Sequence, residues 1–204
     1  MIGSHVWRLI VTFLVVCGAA VSARAQAPAT APPPAAAQNG PHIDVSAGYL
    51  WSLSEGLSMH GWNVQLSVPI ARRWSLVGEF DASRGSYPGN DYQTYRDLAG
   101  LAGVRYRGQP TDRISPFWQV LAGGLKFSRE VDYFDFPGRR VQYEYTTNYF
   151  VFQPGAGVTV MVTRRFGIQT QGDFQFYADE AGGSFDDIGL RPRVTVGGVV
   201  RLGR

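Results

Sequence analysis

Residues 166–176 read Phe-Gly-Ile-Gln-Thr-Gln-Gly-Asp-Phe-Gln-Phe, and the fold is decided by this stretch. Phe166, Ile168, Phe174 and Phe176 share one parity, while Gln169, Gln171, Asp173 and Gln175 share the other. Alternation sustained over this length predicts a β-strand with one apolar and one polar face.

The same period of two recurs outward in both directions. Towards the C-terminus, Val194, Val196, Val200 and Leu202 oppose Arg191, Arg193, Thr195 and Arg201. Towards the N-terminus, Phe150, Phe152, Ala156, Val158, Val160 and Val162 oppose Gln153, Gly155, Gly157 and Thr159. Earlier still, Leu98, Ala102, Val104 and Tyr106 face away from Asp97, Gly103, Arg105 and Arg107. Trp74, Leu76, Phe80 and Ala82 face away from Ser75, Glu79, Asp81 and Ser83. Trp62, Val64, Leu66 and Val68 oppose Gly61, Asn63, Gln65 and Ser67, and Val45, Ala47, Tyr49 and Trp51 oppose Asp44, Ser46, Gly48 and Ser52. Around 114–128 both parities are apolar, so a strand is expected there without an assignable face. The count is eight antiparallel strands of roughly 11–15 residues, longer than sandwich strands and suited to a tilted membrane crossing.

The links alternate in length. Ala71-Arg72-Arg73, Thr163-Arg164-Arg165 and 108–113 are short, whereas 85–94, 129–148 and 179–189 are long; 54–59 is the brief exception. Short periplasmic turns opposite longer outer loops are a feature of transmembrane barrels. Period two is equally compatible with a soluble lipocalin-like barrel that binds an apolar ligand inside. Lipid on the dry side is favoured by four observations, the first being the export leader described below, which puts the protein in or beyond the periplasm. The polar face is mostly Gly, Ser, Gln, Asn and Thr. The chain has a single lysine, Lys126. Trp51, Trp62, Trp74 and Trp118 fall near strand ends, where aromatic girdles lie.

The N-terminus reads as an export leader. A weakly basic start with His5 and Arg8 precedes an apolar run from Leu9 to Val16, and Ala23-Arg24-Ala25 gives a cleavage site before Gln26. Residues 1–25 are read as a signal peptide, 26–41 as an Ala/Pro-rich flexible tether around Pro32-Pro33-Pro34, and 42–204 as the barrel domain. Cys17 follows Val16, where a lipobox needs a small residue, and its loss with the leader leaves no cysteine for disulfide, thiolate or metal chemistry. Loss of Arg8 and Arg24 leaves 17 basic against 16 acidic residues, so no nucleic-acid partner is expected.

Several stretches resemble the small OmpA/OmpX-like outer-membrane β-barrel domains. They are Phe152-Gln153-Pro154-Gly155-Ala156-Gly157-Val158, the Thr163-Arg164-Arg165 turn, Gln169 to Asp173, and the closing run from Val194 to Gly203. The resemblance implies an eight-stranded up-and-down barrel in the outer membrane, both ends on the periplasmic side, and insertion by the barrel-assembly machinery. It also implies a monomer in contact with outer-membrane lipid and lipopolysaccharide. The chain departs from the family in ending Gly203-Arg204 rather than in an aromatic residue, and in lacking length for a peptidoglycan-binding domain after the barrel.

Chemistry is sparse in the sequence, and no catalytic, cofactor or metal site is expected. With only His5, His42 and His60 present, no HExxH-like spacing occurs. His60 near Ser58 and Glu55 is the one loose nucleophile–base set, which leaves an enzyme acting on membrane lipid as an alternative; the competing reading is an interfacial polar residue. Glu79, Asp81, Asp97 and Asp173 share the polar parity with Arg105, Arg193 and Arg201, predicting a lumen network that plugs the barrel, with a narrow pore as the alternative. Between 129 and 148, Tyr133, Phe134, Phe136, Arg139, Arg140, Tyr143 and Tyr145 form a possible contact loop, or else extend the flanking strands as a hairpin. The acids Asp132, Asp135, Asp179, Glu180, Asp186 and Asp187 are candidates for bridging lipopolysaccharide through divalent cations.

Overall fold

The computed structural model describes residues 42–54, 57–86, 93–108, 113–135, 139–179 and 189–203, with the backbone alone at 132–135, 139–142 and 179. The signal peptide and tether expected at 1–41 lie outside the described residues, as do Glu55, Phe136, Glu180, Asp186 and Asp187.

Eight strands follow one another: β1 (Ile43–Ser54), β2 (Leu57–Pro69), β3 (Trp74–Gly85), β4 (Gln93–Arg107), β5 (Ile114–Asp135), β6 (Arg139–Met161), β7 (Phe166–Asp179) and β8 (Gly189–Leu202). Each pairs antiparallel with the next, and β1 pairs with β8 to close the barrel. Closure removes both sheet edges, so the ladder leaves no row of backbone donors and acceptors facing an apolar medium.

The short turns come from local chemistry. At 162–166 the Thr163 hydroxyl accepts from the Phe166 N–H at 3.0 Å and the Arg165 N–H at 3.3 Å. At 70–74, Ile70 N–H donates to the Trp74 carbonyl at 2.9 Å and Trp74 N–H returns a bond to Ala71. At the closing seam Gly48 stands opposite Gly197, and a Cβ on Gly197 would lie 2.2 Å from the Ala47 carbonyl oxygen. That approach admits glycine alone, and it explains two of the polar-face glycines.

The alternation in seven of the segments is seen as read. Buried and exposed residues alternate along β3 without a break from Trp74 to Asp81. The unassigned fifth segment is now settled: Phe117, Gln119, Leu121, Leu125 and Val131 point inward, while Trp118, Val120 and Lys126 point outward. Its inward face is apolar because Val77, Ala99, Leu101, Leu121, Leu125 and Val151 form a small dry cluster inside the lumen.

Two expectations need correction. β5 and β6 have 22 and 23 residues rather than 11–15, and the supposed loop at 129–148 is mostly strand. The hairpin alternative is what the chain adopts. Register partners run out to Asp135↔Arg139, while β7 accompanies β6 only from Tyr149 onward.

Candidate functional site

The inward side chains fill the lumen in three tiers. At the centre, Arg193 Nη2 lies 2.9 Å from Asp81 Oδ2 and 3.2 Å from Glu79 Oε1. Glu79 also accepts from Gln65 Nε2 at 2.6 Å and Gln153 Nε2 at 2.9 Å. Alternation along β2, β6 and β7 brings these glutamines inward, where each amide both donates and accepts and so links one strand to the next. Gln171 Nε2 donates to Asp173 Oδ2 at 2.7 Å. Arg105 donates to Gln119 and Gln65, both at 2.6 Å from Nη2, and its guanidinium lies 4.0 Å from the centroid of the Phe117 ring.

The structure distributes the predicted constellation over separate groups. Glu79, Asp81, Asp97, Asp173, Arg105 and Arg193 are buried in the lumen, but not as one set of ion pairs. Asp97 pairs with Arg191, which the sequence reading left out of the constellation, and Arg191 also donates to Gln175. Arg201 belongs to a separate tier at the turn end, where its Nε lies 3.2 Å from Asp44 Oδ1 and Arg107 Nη2 lies 2.7 Å from Asp44 Oδ2. Asp173 and Arg105 are held by amides and form no ion pair with each other. Six buried glutamines, Gln65, Gln119, Gln153, Gln169, Gln171 and Gln175, carry most of the cross-lumen bonding, and parity was the available signal for all but Gln119, whose strand had no assignable face.

Above Arg191 the lumen opens into a small vestibule of about 180 Å³, lined by Met59, Tyr95, Phe127, Tyr149 and Tyr177 among others. The rings form a chain with centroid separations of 5.8 Å (Tyr95–Phe127), 6.4 Å (Phe127–Tyr149) and 5.4 Å (Tyr149–Tyr177). Below this vestibule the tiers of arginine, carboxylate and amide occupy the interior.

Outside the barrel, Trp62, Leu66, Phe80, Val120, Phe152 and Ile168 are all 43–52% exposed. Together with their neighbours they form a continuous apolar belt, which water would penalise and hydrocarbon would not. Near the short turns Trp74 meets Tyr106 in a T-shaped contact and Tyr106 meets Trp118 at a tilt, and Arg73 donates to the Tyr106 hydroxyl at 3.0 Å. The dry face is outside, so the barrel lacks the apolar interior that the lipocalin-like alternative required.

His60 is outward and exposed, beside the other end of the belt. The structure does bring Ser58 to it, with Oγ 3.1 Å from Nε2, while the other ring nitrogen meets the Tyr49 hydroxyl. Trp51 Nε1 donates to the same Ser58 oxygen at 2.8 Å. Among the described residues no three His, Asp or Glu side chains converge as a metal site. Of the contact-loop residues, Tyr143 and Tyr145 are exposed on the β5–β6 hairpin; the backbone alone is described at Tyr133, Phe134, Arg139 and Arg140, as it is at Asp132, Asp135 and Asp179.

No protein-family model matches the chain, and no curated protein is similar to it in sequence. Solved structures do match. The attachment invasion locus protein Ail of Yersinia pestis superposes with a TM-score of 0.53 at 16% identity, covering 79% of this chain and 99% of Ail. The outer membrane protein OprG of Pseudomonas aeruginosa gives 0.50 at 8% identity, covering 81% and 97%. The chain is an eight-stranded barrel of the small outer-membrane type. Its fold is that of proteins of the bacterial outer membrane, and its apolar belt is what that setting demands of an exterior.

Proposed function

We propose that this chain is a monomeric outer-membrane barrel that acts as a closed structural and contact platform. It is inserted by the barrel-assembly machinery and surrounded by outer-membrane lipid and lipopolysaccharide. The observation that carries this reading is the pairing of an apolar exterior with a lumen filled by Arg193, Glu79, Asp81, Arg105 and six glutamines. A wall of eight strands leaves room for side chains and little else, so transport through the lumen is disfavoured and the protruding β5–β6 hairpin becomes the natural contact element. Refolding of residues 26–204 with detergent should give a compact, heat-modifiable band that is absent without detergent. Planar-bilayer recording of the same material should show no unitary conductance. Regular conductance steps would replace the platform with a pore.

A second reading is favoured by one specific observation, the Ser58–His60 contact on the membrane-facing wall. A hydroxyl bonded to an imidazole whose other nitrogen is held by Tyr49 has the layout of an activated nucleophile. Hydrolysis of a lipid ester would be its chemistry. Release of fatty acid from vesicles by the wild type, lost in Ser58→Ala, would establish it; no release by the wild type removes it.

A further inference from the structure

The outer wall across β2–β6 carries cations in a place where a membrane barrel has no structural need for them. In register, His60 stands beside Arg84, and Arg84 beside Arg96. One rung nearer the short turns come Trp62, Ala82, Leu98 and Lys126, the chain's single lysine. Arg84, Arg96 and Lys126 are exposed and outward, and with His60, Trp62 and Leu98 they line an open groove of about 420 Å³.

The charges in this groove are not balanced. Arg96 is paired with Glu130 at 2.8 Å. Glu130 and Glu144 stand a further rung out, opposite each other. Among the described residues Arg84 and Lys126 form no ion pair; Glu144 also lines the groove, whose three outward cations still outnumber Glu130 and Glu144 at the top of an apolar belt.

Directly beneath, a second open groove of about 520 Å³ runs down the same strands, walled by Val64, Leu66 and Phe80 and floored by Gly78, Gly100 and Ala102. A Cβ on Gly78 or Gly100 would meet nothing within 4 Å, so backbone crowding does not demand glycine there. The trough is open to the outside and begins one rung below Trp62, Ala82 and Leu98 of the basic shelf.

We propose that this wall binds a membrane lipid bearing a phosphate monoester: Arg84 and Lys126 take the phosphate, and an acyl chain lies in the trough beside Trp62 and Phe80. Arg84 and Lys126 set two cations at one phosphate, and a monoester, with its higher charge, gains more from them than a phosphodiester does. Arginine offers the two-point fork for phosphate oxygens, and lysine adds a point charge. The site deepens the platform reading and rests on the barrel being embedded in a membrane.

The test uses the refolded protein in phosphatidylcholine vesicles containing a minor fraction of acyl-brominated phosphatidic acid, phosphatidylglycerol or phosphatidylcholine, with tryptophan quenching as the readout. The phosphatidic acid probe should quench more than either other lipid, and Trp62→Phe should remove that excess. In the Arg84→Gln/Lys126→Gln double variant the preference should fall roughly thirtyfold, from two lost surface charge contacts. Arg72→Gln/Arg73→Gln at the opposite rim should leave it intact. Equal quenching by phosphatidic acid and phosphatidylglycerol, or an unchanged preference in the double variant, overturns the proposal. So does its abolition by millimolar inorganic phosphate, because that would make the site a phosphate site and not a lipid site. A heat-modifiable band from the same vesicles reports separately on the membrane-embedded reading, so loss of the preference with the band intact counts against this site alone.

Discussion

Replacing Arg193 with methionine removes the charge while keeping much of the side-chain volume, and so isolates the electrostatics of the central tier. Arg193 and Glu79 are 1% and 0% exposed at their side chains, and Asp81 is 4% exposed. A charge pair at about 4 Å is worth roughly 4 kcal/mol at an effective dielectric constant near 20. Arg193 serves two such partners, and desolvating all three groups returns a large part of that attraction. The net loss expected for stripping one partner from a buried pair is about 3–5 kcal/mol, because the carboxylates are left uncompensated. With a urea dependence of about 2 kcal/mol per molar, the unfolding midpoint in vesicles should fall by roughly 2 M. Tryptophan fluorescence under reversible urea titration measures it. The triple variant Glu79→Gln/Asp81→Asn/Arg193→Met removes all three charges and should recover at least half of the loss. A shift below about 1 kcal/mol for Arg193→Met would place this tier with exposed surface pairs and refute the argument.

Other substitutions probe the wall and the packing. Phe80→Arg puts a cation in the middle of the belt and should cost about 2–4 kcal/mol in lipid, measured by the same titration; no loss would move the bilayer away from this rung. At Gly155 a Cβ would lie 1.8 Å from Asp173 Oδ1, so Gly155→Val should destabilise by about 1–3 kcal/mol through overpacking. An undiminished midpoint would mean that the lumen there is loose. Tyr143→Ser/Tyr145→Ser changes two exposed hairpin residues and should leave stability within about 0.5 kcal/mol; a larger loss would show that the hairpin contributes to the barrel's folding.

The strand count, the closure and the direction of seven strands were legible because lipid outside and polar groups inside impose opposite demands on successive residues. β5 was illegible for the same reason inverted: Leu121 and Leu125 face a dry patch inside the lumen while Val120 faces the belt, so both parities are apolar. The extension of β5 and β6 was hidden because neither demand acts beyond the membrane, and Glu130, Tyr143 and Glu144 follow no two-phase pattern there. Parity put the lumen charges on the correct face, but it says nothing about height along a tilted barrel. Parity therefore groups Arg201 with Glu79 although it reaches Asp44, and gives no reason to pair Arg191 with Asp97. Ser58 and His60 were found together because two residues apart on a strand is already one face.

The last strand to be made carries three inward arginines, and each answers a carboxylate from a different part of the wall: Arg191 to Asp97 of β4, Arg193 to Glu79 and Asp81 of β3, and Arg201 to Asp44 of β1. Before β8 docks, the arginines that the described residues offer the lumen carboxylates Asp44, Glu79, Asp81, Asp97 and Asp173 are Arg105 and Arg107, with Arg129 at the mouth. A slip of one residue would turn β8's polar face to the membrane, and hydrophobicity forbids it. A slip of two keeps the faces correct and is invisible to that filter, yet it takes Arg201 from Asp44 and sets one of Arg191 and Arg193 in the other's place, so one of those two carboxylate sites loses its cation. The spacing of the arginines thus works like the cuts of a key: only one register gives all three carboxylate sites a cation, and the charges check what the greasy and polar faces cannot.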